Sequence, residues 1–361
     1  MVDLGQELLK FYVEHVNLSD ADRKKLLEYE STNIKRLEKG LQALGHPLPQ
    51  RVVRQGSIAM GTINQHADNE YDLDLAAIFE CSDLPVTALA ARQRVCDAMC
   101  QDGTDFAKSP EPRTNAVTVW YKAGHHVDIA VHRFSANVLA DGTLEHAGAE
   151  WTPRDPEKVA TWFNDLVTAA SPHQDSGATV EPGQLRRIVQ LLKMFARLYS
   201  DDLPGGIIIT ALAAECYKRD LYRDDMALAN TMRSMYSRLC GSVEVMLPVP
   251  GCSSLTGKDK YRYQVVRFRD ALNSALAVLA ATDRMDCTQG DALQAWCSVY
   301  SNHTYWQNLF AEWQTASARA AAIQGAYAAG TLHTSTQGTL ITSPSQGTGL
   351  PVLPHRFYGD K

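Results

Sequence analysis

The chain has 361 residues, 45% of them hydrophobic, and its 35 basic and 41 acidic side chains give a formal net charge of -6. No apolar run approaches the ~18 residues of a membrane-spanning helix, and no basic-then-apolar export segment opens the chain, so we expect no membrane partner and a cytoplasmic location. No dense block of Lys and Arg appears either, which argues against a long nucleic acid as an activator, because such binding needs clustered basic residues to neutralise phosphates.

A long helix is the first element that the sequence predicts. Ser19 is a suitable N-cap, acidic residues fill the first turn, and Leu and Ile residues then recur at helical spacing. Gly45 and Pro47 predict its end. A short strand over 51–55 leads into a Gly-Ser turn, and a second strand is predicted over 71–79.

A helix over 86–100 and a β-hairpin follow. Residues 115–121 alternate with β-branched and aromatic side chains, residues 122–125 are typical of a turn, and the apolar pattern resumes over 126–131. Asp128 is a charge inside this second apolar strand. A buried carboxylate is costly unless it is paired or bound to a metal, and metal ligation supplies a reason for its presence.

The Gly56-Ser57 turn and the carboxylates after it have the spacing that metal-dependent nucleotide chemistry requires. Asp72 and Asp74 project from one face of a strand, because alternate side chains share a face. Two carboxylates so placed repel each other unless a cation lies between them, and Mg²⁺ is expected because it is hard and prefers oxygen ligands. Two such ions roughly 4 Å apart can bind both the attacking hydroxyl and the leaving oxygen of an in-line displacement. Asp128 is the candidate third ligand.

Each of these motifs alone also has an ordinary structural interpretation. An isolated Asp-x-Asp on a strand is more often a solvated face, and a lone Gly-Ser is an ordinary turn. The ordered set of turn, paired carboxylates and a third carboxylate in a second apolar strand favours a nucleoside triphosphate site.

Beyond residue 151 the pattern becomes helical. The predicted helices are 157–170, 184–200, 206–219, 225–240, 262–283 and 289–325. Lys193 and Arg187 fall outside the apolar stripe of the second of these helices. They belong either to a solvated basic face or to a phosphate-binding surface, and the pattern alone leaves both readings open.

The fold class predicted from this order is α+β. We expect a core with a small mixed sheet over 1–170, a helical domain over 171–328 and an active site in the cleft between them. Residues 329–361 are rich in Gly, Thr, Ser, Gln and Pro, and a flexible tail is predicted there because such a segment cannot bury much apolar area.

The motifs resemble those of the polymerase-β-like nucleotidyltransferases, and within them the bacterial cGAS/DncV-like enzymes called CD-NTases. The resemblance covers most of residues 1–315. It is carried by Gln55-Gly56-Ser57-x-x-x-Gly61-Thr62, by Glu70-Tyr71-Asp72-Leu73-Asp74-Leu75, by Val127-Asp128-Ile129-Ala130-Val131, and by the helix from Arg187 to Lys193 with the following Leu203-Pro204-Gly205-Gly206.

The resemblance implies an activity. CD-NTases join nucleoside triphosphates with release of pyrophosphate and close the product into a cyclic di- or trinucleotide second messenger, which serves anti-phage (CBASS) defence. ATP and/or GTP are the expected substrates, proteins encoded in the same operon are candidate partners, and a monomer is expected. The long N-terminal helix is expected to connect both halves of the molecule.

The resemblance also implies roles for single residues. Asp72, Asp74 and Asp128 would hold two Mg²⁺ ions, with Mn²⁺ as a substitute, and Asp128 would help to deprotonate the attacking hydroxyl. The nucleotide would be bound by Gln55, Gly56, Ser57 and Lys193, with Arg187 in a supporting position. Two departures from some relatives are Met60 in place of an aromatic residue and Gly205 in place of a serine, so base stacking and a hydroxyl contact at those points are not carried over.

Two rival hypotheses come from other functional classes. One is a polymerase-β-like transferase that adds a nucleotide to RNA or to a non-nucleotide acceptor; the acidic net charge argues against RNA, and an assay with nucleotides alone distinguishes the rest. The other is a binding module that has lost catalysis. The presence of all three Asp residues argues against it.

Overall fold

The computed structural model describes residues 2–66, 70–103, 105–135, 143–173, 179, 183–199, 202–249, 254–335, 337–342 and 350–352. The chain forms two compact units, one of residues 3–277 and one of residues 278–361 with the first two residues. The division into 1–170, 171–328 and 329–361 stays a prediction.

The long helix predicted after Ser19 is present, and a shorter helical segment that was not predicted precedes it. Helix α1 (Gly5–Phe11) continues into a π-helical turn, and α2 (Asp20–Ala43) follows. The Ser19 hydroxyl caps α2 by accepting a hydrogen bond of 3.0 Å from the Asp22 N–H. Gly40 allows α2 to approach α4 (Ala88–Met99) closely, because a Cβ at this position would overlap the backbone of the neighbouring helix.

Seven strands of the larger unit form one mixed sheet in the part of the chain that the structure describes. They are β1 (Arg51–Arg54), β2 (Asp72–Phe79), β3 (Phe106–Pro112), β4 (Val117–Tyr121), β5 (His126–Phe134), β6 (Leu144–Ala147) and β7 (Trp151–Pro153). The main path runs β1-β2-β5-β4-β3, while β6 pairs with the end of β5 and β7 pairs with β6. Only the β2 and β5 pair is parallel among these strands.

One face of the sheet is buried against helices. Leu73, Leu75 and Phe79 of β2 are at most 1% exposed and pack with apolar residues of β4, β5, α2 and α4. Because side chains alternate along a strand, Asp72 and Asp74 point to the opposite face. The burial of one face therefore sets which residues of β2 can form a site.

The rest of the larger unit is helical. It contains α3 (Gly56–Ala59), α5 (Lys158–Ala170), α6 (Gln184–Tyr199), α7 (Gly206–Cys216), α8 (Asp224–Gly241) and α9 (Asp259–Leu279). Each of the five predicted helices between 157 and 283 is present, with ends that differ by at most a few residues. The α+β prediction is confirmed.

The smaller unit corrects one prediction. The single helix expected over 289–325 is two helices, α10 (Gln289–Val299) and α11 (Thr304–Ala328). The chain turns between them because Ser301 and Asn302 adopt left-handed φ values of 50° and 58°. Trp296, Tyr300 and Trp306 then stack with ring centroids 6.1–6.3 Å apart, which packs the two helices together.

Part of the predicted tail has a defined structure. Strands β8 (His333–Thr334), β9 (Leu340–Ile341) and β10 (Leu350–Pro351) form a small antiparallel sheet. Residues 343–349 and 353–361 lie outside the described part of the chain, so the flexibility of the tail stays a prediction.

A buried histidine packs between two tyrosines beside the sheet. The ring of His125 is stacked on Tyr29 of α2 and Tyr121 of β4, with centroid distances of 3.6 and 4.3 Å. Neither ring nitrogen has a hydrogen-bond partner among the described residues, and burial lowers the pKa of His125 to about 4. Burial also lowers the pKa of His132 to about 3 and that of His146 to about 4.

These histidines should make the fold sensitive to acid. An unfolded histidine titrates near pH 6.5, so the unfolded state takes up protons first and the free energy of unfolding falls as the pH drops from about 6.5 to about 4. Replacing His125 by Phe keeps the ring stack and should flatten that fall by about 1.4 kcal/mol per pH unit in urea titrations. His46→Phe, at a half-exposed site, is the control, and parallel pH profiles for His125→Phe and wild type would contradict the prediction.

Candidate active site

Three carboxylates meet on the face of the sheet opposite to the one packed against α2 and α4. Asp74 of β2 lies directly opposite Asp128 of β5 in the parallel register, and Asp72 lies opposite His126. One oxygen from each of the three carboxylates lies within 4.8 Å of the other two. No other group of three or more His, Cys, Asp or Glu residues has this spacing in the described ranges.

The charges at this cluster are poorly compensated by the protein. Burial and the neighbouring carboxylates Asp72 and Asp128 raise the pKa of Asp74 to about 7, although Arg154 and Lys193 act in the opposite direction. Burial also raises the pKa of Asp72, while His126, whose Nε2 is 3.3 Å from Asp72 Oδ1, lowers it.

The cluster fits a metal ion. Asp128 Oδ1 is inaccessible to solvent and has no hydrogen-bond partner among the described residues, so the protein leaves this buried carboxylate oxygen without a donor. Carboxylate oxygens are the donors that hard divalent cations prefer. Asp72, Asp74 and Asp128 could therefore hold a metal ion.

The Gly-Ser turn is pressed against these carboxylates. Gln55 ties the turn to β2, because its backbone N–H donates to the Asp74 carbonyl (2.8 Å) and its side-chain amide donates to the Leu75 carbonyl (3.0 Å). Gly56 has φ of +57°, and a Cβ there would overlap Asp74 Oδ2. Only glycine fits at this position, which brings the turn and Ser57 next to Asp74.

Lys193 reaches the same place from helix α6. Its Nζ donates a 2.7 Å hydrogen bond to the Thr62 carbonyl, just after the Gly-Ser turn. Burial lowers the pKa of Lys193 to about 8, while the negative charge of Asp74 acts in the opposite direction. Lys193 therefore does not belong to a solvated basic face.

The two arginines next to each other on α6 have different surroundings. Arg187 is buried and paired with Asp224, with nitrogen to oxygen distances of 2.7 and 3.1 Å, and it does not line the cavity. Arg186 was not predicted to have a role, yet its Nε donates to the Met60 carbonyl (3.0 Å) and a terminal nitrogen donates to Asn164 Oδ1 (2.9 Å). Arg186 thus fixes the end of the Gly-Ser turn.

A cavity of about 560 Å³ brings the predicted residues together. Gln55, Gly56, Ser57, Asp72, Asp74, Asp128 and Lys193 all line it. Its volume lies in the usual range for ligand pockets. The lining residues that the sequence did not predict include Asn115, Ala116, His146, Arg154, Asp155, Val159, Ile207, Leu247 and Leu255.

Nothing in the described helices is both long and apolar enough to cross a lipid bilayer.

Comparison with known proteins gives a family match for the first part of the sheet. Residues 50–132 match the nucleotidyltransferase domain of DncV-like cyclic GMP-AMP synthases, and this range contains the Gly-Ser turn and all three carboxylates. A c-di-GMP synthase of Roseivirga ehrenbergii is 24% identical over 214 residues. That alignment covers 54% of each protein, so the chain spans about half the length of this relative.

Solved structures of bacterial enzymes share the fold over most of the chain. The CD-NTase CdnG of Bradyrhizobium diazoefficiens in complex with GTP has a TM-score of 0.62 at 16% identity, over 84% of this chain and 96% of that one. The cyclic AMP-GMP synthase DncV of Vibrio cholerae, in complex with the linear intermediate 5′ pppA(3′,5′)pG, has a TM-score of 0.63 at 13% identity, over 83% and 96%.

The family match lies over the strands that carry the three carboxylates, and the likeness of fold extends over most of the chain. Residues 50–132 thus match the DncV-like nucleotidyltransferase domain, and the chain shares its fold with solved CD-NTase structures.

Proposed function

We propose that the protein is a metal-dependent nucleotidyltransferase that joins nucleoside triphosphates and closes the product into a cyclic di- or trinucleotide. One observation carries this proposal: the three carboxylates, the Gly56-Ser57 turn and Lys193 line a single cavity. Nucleotidyl transfer requires carboxylates that hold metal ions. It also requires backbone N–H groups and a positively charged side chain that bind the phosphates.

In this proposal Asp72, Asp74 and Asp128 hold two Mg²⁺ ions, for which Mn²⁺ can substitute. Bound there, the ions would supply Lewis-acid stabilisation of the attacking and leaving oxygens.

The chain's own groups bind and orient the substrates. The backbone N–H groups of the turn and the Ser57 hydroxyl face the triphosphate of the donor nucleotide, and Lys193 adds a positive charge beside it. Gln55 acts through the turn, because its side-chain amide is already used to hold β2.

The bond changes follow from this arrangement. A ribose hydroxyl oxygen of one nucleotide attacks the α-phosphorus of the other, and the bond between that phosphorus and the oxygen bridging to the β-phosphate breaks. Pyrophosphate leaves, and the hydroxyl proton passes to a carboxylate oxygen of Asp128. A second round of the same chemistry within the linear product closes the ring.

Purine nucleotides are the proposed substrates. Similar proteins are a c-di-GMP synthase, a CD-NTase with bound GTP and a cyclic AMP-GMP synthase with a linear A and G intermediate. The proposed role is synthesis of a second messenger for CBASS defence in the bacterial cytoplasm, with operon-encoded proteins as partners.

A direct assay tests this function. Purified protein with all four radiolabelled nucleoside triphosphates and Mg²⁺ should form a species that survives phosphatase and has the mass of a cyclic di- or trinucleotide. A labelled product that appears only when RNA or another acceptor is added would instead identify the rival transferase.

Removing one carboxylate should separate activity from stability. Asp74→Asn should reduce turnover at least 10³-fold, because it removes a metal ligand. The same change removes like-charge repulsion, so without metal at pH 8 the unfolding free energy should rise by roughly 1–3 kcal/mol. Asp97→Asn, at an exposed site on α4, should change neither quantity. A drop in stability of Asp74→Asn would contradict this account of the cluster.

Adding a methyl group at Gly56 should also reduce activity strongly. Gly56→Ala places a Cβ against Asp74 Oδ2 and strains a left-handed φ, so activity should fall at least 100-fold although every polar side chain remains. Gly205→Ala is a matched control near the same cavity, because a Cβ there meets nothing within 4 Å and φ is -64°. Equal activities of the two variants would show that the turn does not act through close approach.

A further inference from the structure

The cavity has a second cation that the proposed function has not used. Arg154 follows β7 directly and lines the cavity. Its backbone N–H donates to the Leu144 carbonyl (2.8 Å), but its guanidinium makes no hydrogen bond or ion pair with any residue in the described part of the chain. A guanidinium that faces a cavity without a protein partner is available to a ligand.

Three acidic residues near Arg154 in sequence have other partners. Glu145 pairs with Arg133 at 2.8 Å, and Glu157 pairs with Arg51 at 2.6 Å. Asp155 accepts a 2.9 Å hydrogen bond from the backbone N–H two residues later. These three carboxylates therefore do not pair with the guanidinium, whose positive charge acts on Asp74 in the cavity.

Buried hydrogen bonds hold in place the strands that precede Arg154. His146 is 3% exposed, and its Nε2 lies 2.7 Å from the Asn115 carbonyl, which fixes the start of β4 against β6. Arg92 is also buried, and it donates to the carbonyls of Ala147 and Gly148 at the turn between β6 and β7. These contacts fix the backbone of the β6 and β7 hairpin, after which Arg154 follows.

The sheet order places Arg154 across the carboxylates from the Gly-Ser turn. The turn follows β1, the carboxylates lie on β2 and β5, and Arg154 follows β7, which is joined to β5 through β6. Lys193 lies on the side of the turn, because it bonds to Thr62. The carboxylates thus have one cation on each side.

We propose that Arg154 binds the phosphates of the second, acceptor nucleoside triphosphate, whose ribose hydroxyl attacks the donor. This inference rests on the proposed function and deepens it. Two triphosphates in one cavity bring several negative charges beside three carboxylates, and the donor side already has Lys193 and the turn. A guanidinium suits the other triphosphate because it can donate two parallel hydrogen bonds to phosphate oxygens. Arg154 is then a positioning and specificity residue that favours acceptors with a 5′ phosphate chain.

Binding stoichiometry tests this role without turnover. Isothermal titration with Mg²⁺ and the α,β-methylene analogues of ATP and GTP should show two bound analogues per wild-type chain. Arg154→Gln should weaken one of the two at least 10-fold and leave the other within 2-fold. Arg154→Lys should restore part of the lost affinity, since it keeps the charge but not the paired hydrogen bonds.

Kinetics and a control complete the test. Arg154→Gln should raise the KM for nucleotide at least 10-fold with kcat changed less than 3-fold. Lys158→Gln, four residues away and outside the cavity, should behave as wild type. The assignment of Arg154 would be overturned if Arg154→Gln bound two nucleotide analogues with wild-type affinity. It would also be overturned if this variant lost the binding of both analogues. No binding of either analogue to the wild-type protein would instead overturn the proposed function.

Discussion

The parallel pairing of β2 with β5 is the constraint on which the site depends. It sets Asp74 opposite Asp128, while Leu73 and Val127 in the adjacent register pair face the buried side of the sheet. A shift by one residue would bury the carboxylates and expose the core. The apolar residues of these strands thus stabilise the fold and also fix the positions of the charged ones, so the packing of the core and the geometry of the site cannot be altered separately.

The same pairing makes the cluster of carboxylates electrostatically unfavourable when no cation balances it. Three carboxylates share a small volume, and burial and mutual repulsion raise the pKa of Asp74 to about 7. The surrounding protein offers Lys193 and Arg154 near Asp74, yet Asp128 Oδ1 has no hydrogen-bond donor among the described residues. A fold that places such groups together gives up stability in the free protein and gains affinity for cations, which is common where a site must bind charge.

The parts of the site that come from one stretch of chain could be predicted from the sequence. Asp72 and Asp74 follow from strand alternation, and the Gly-Ser turn lies just before them. Arg154 could not be predicted, because it reaches the cavity only through the pairing of β7 with β6 and of β6 with β5. The break between α10 and α11 was missed for a local reason: Ser301 and Asn302 adopt left-handed φ without a glycine or proline to signal it. The strands and most helices were predictable because their apolar periodicity is strong.

The missing Cβ of Gly56 has a consequence for how ligands communicate. The backbone of Gly56 is in direct contact with the Asp74 carboxylate. A group bound by the turn lies on one side of this contact, and a cation bound by the carboxylates lies on the other. A change in the position of one is passed to the other through the Asp74 side chain alone. The two occupancies are then thermodynamically linked: if a triphosphate tightens the hold on a cation, the cation tightens the hold on the triphosphate by the same factor. The absence of a Cβ at residue 56 permits the direct contact through which the two binding events can be coupled.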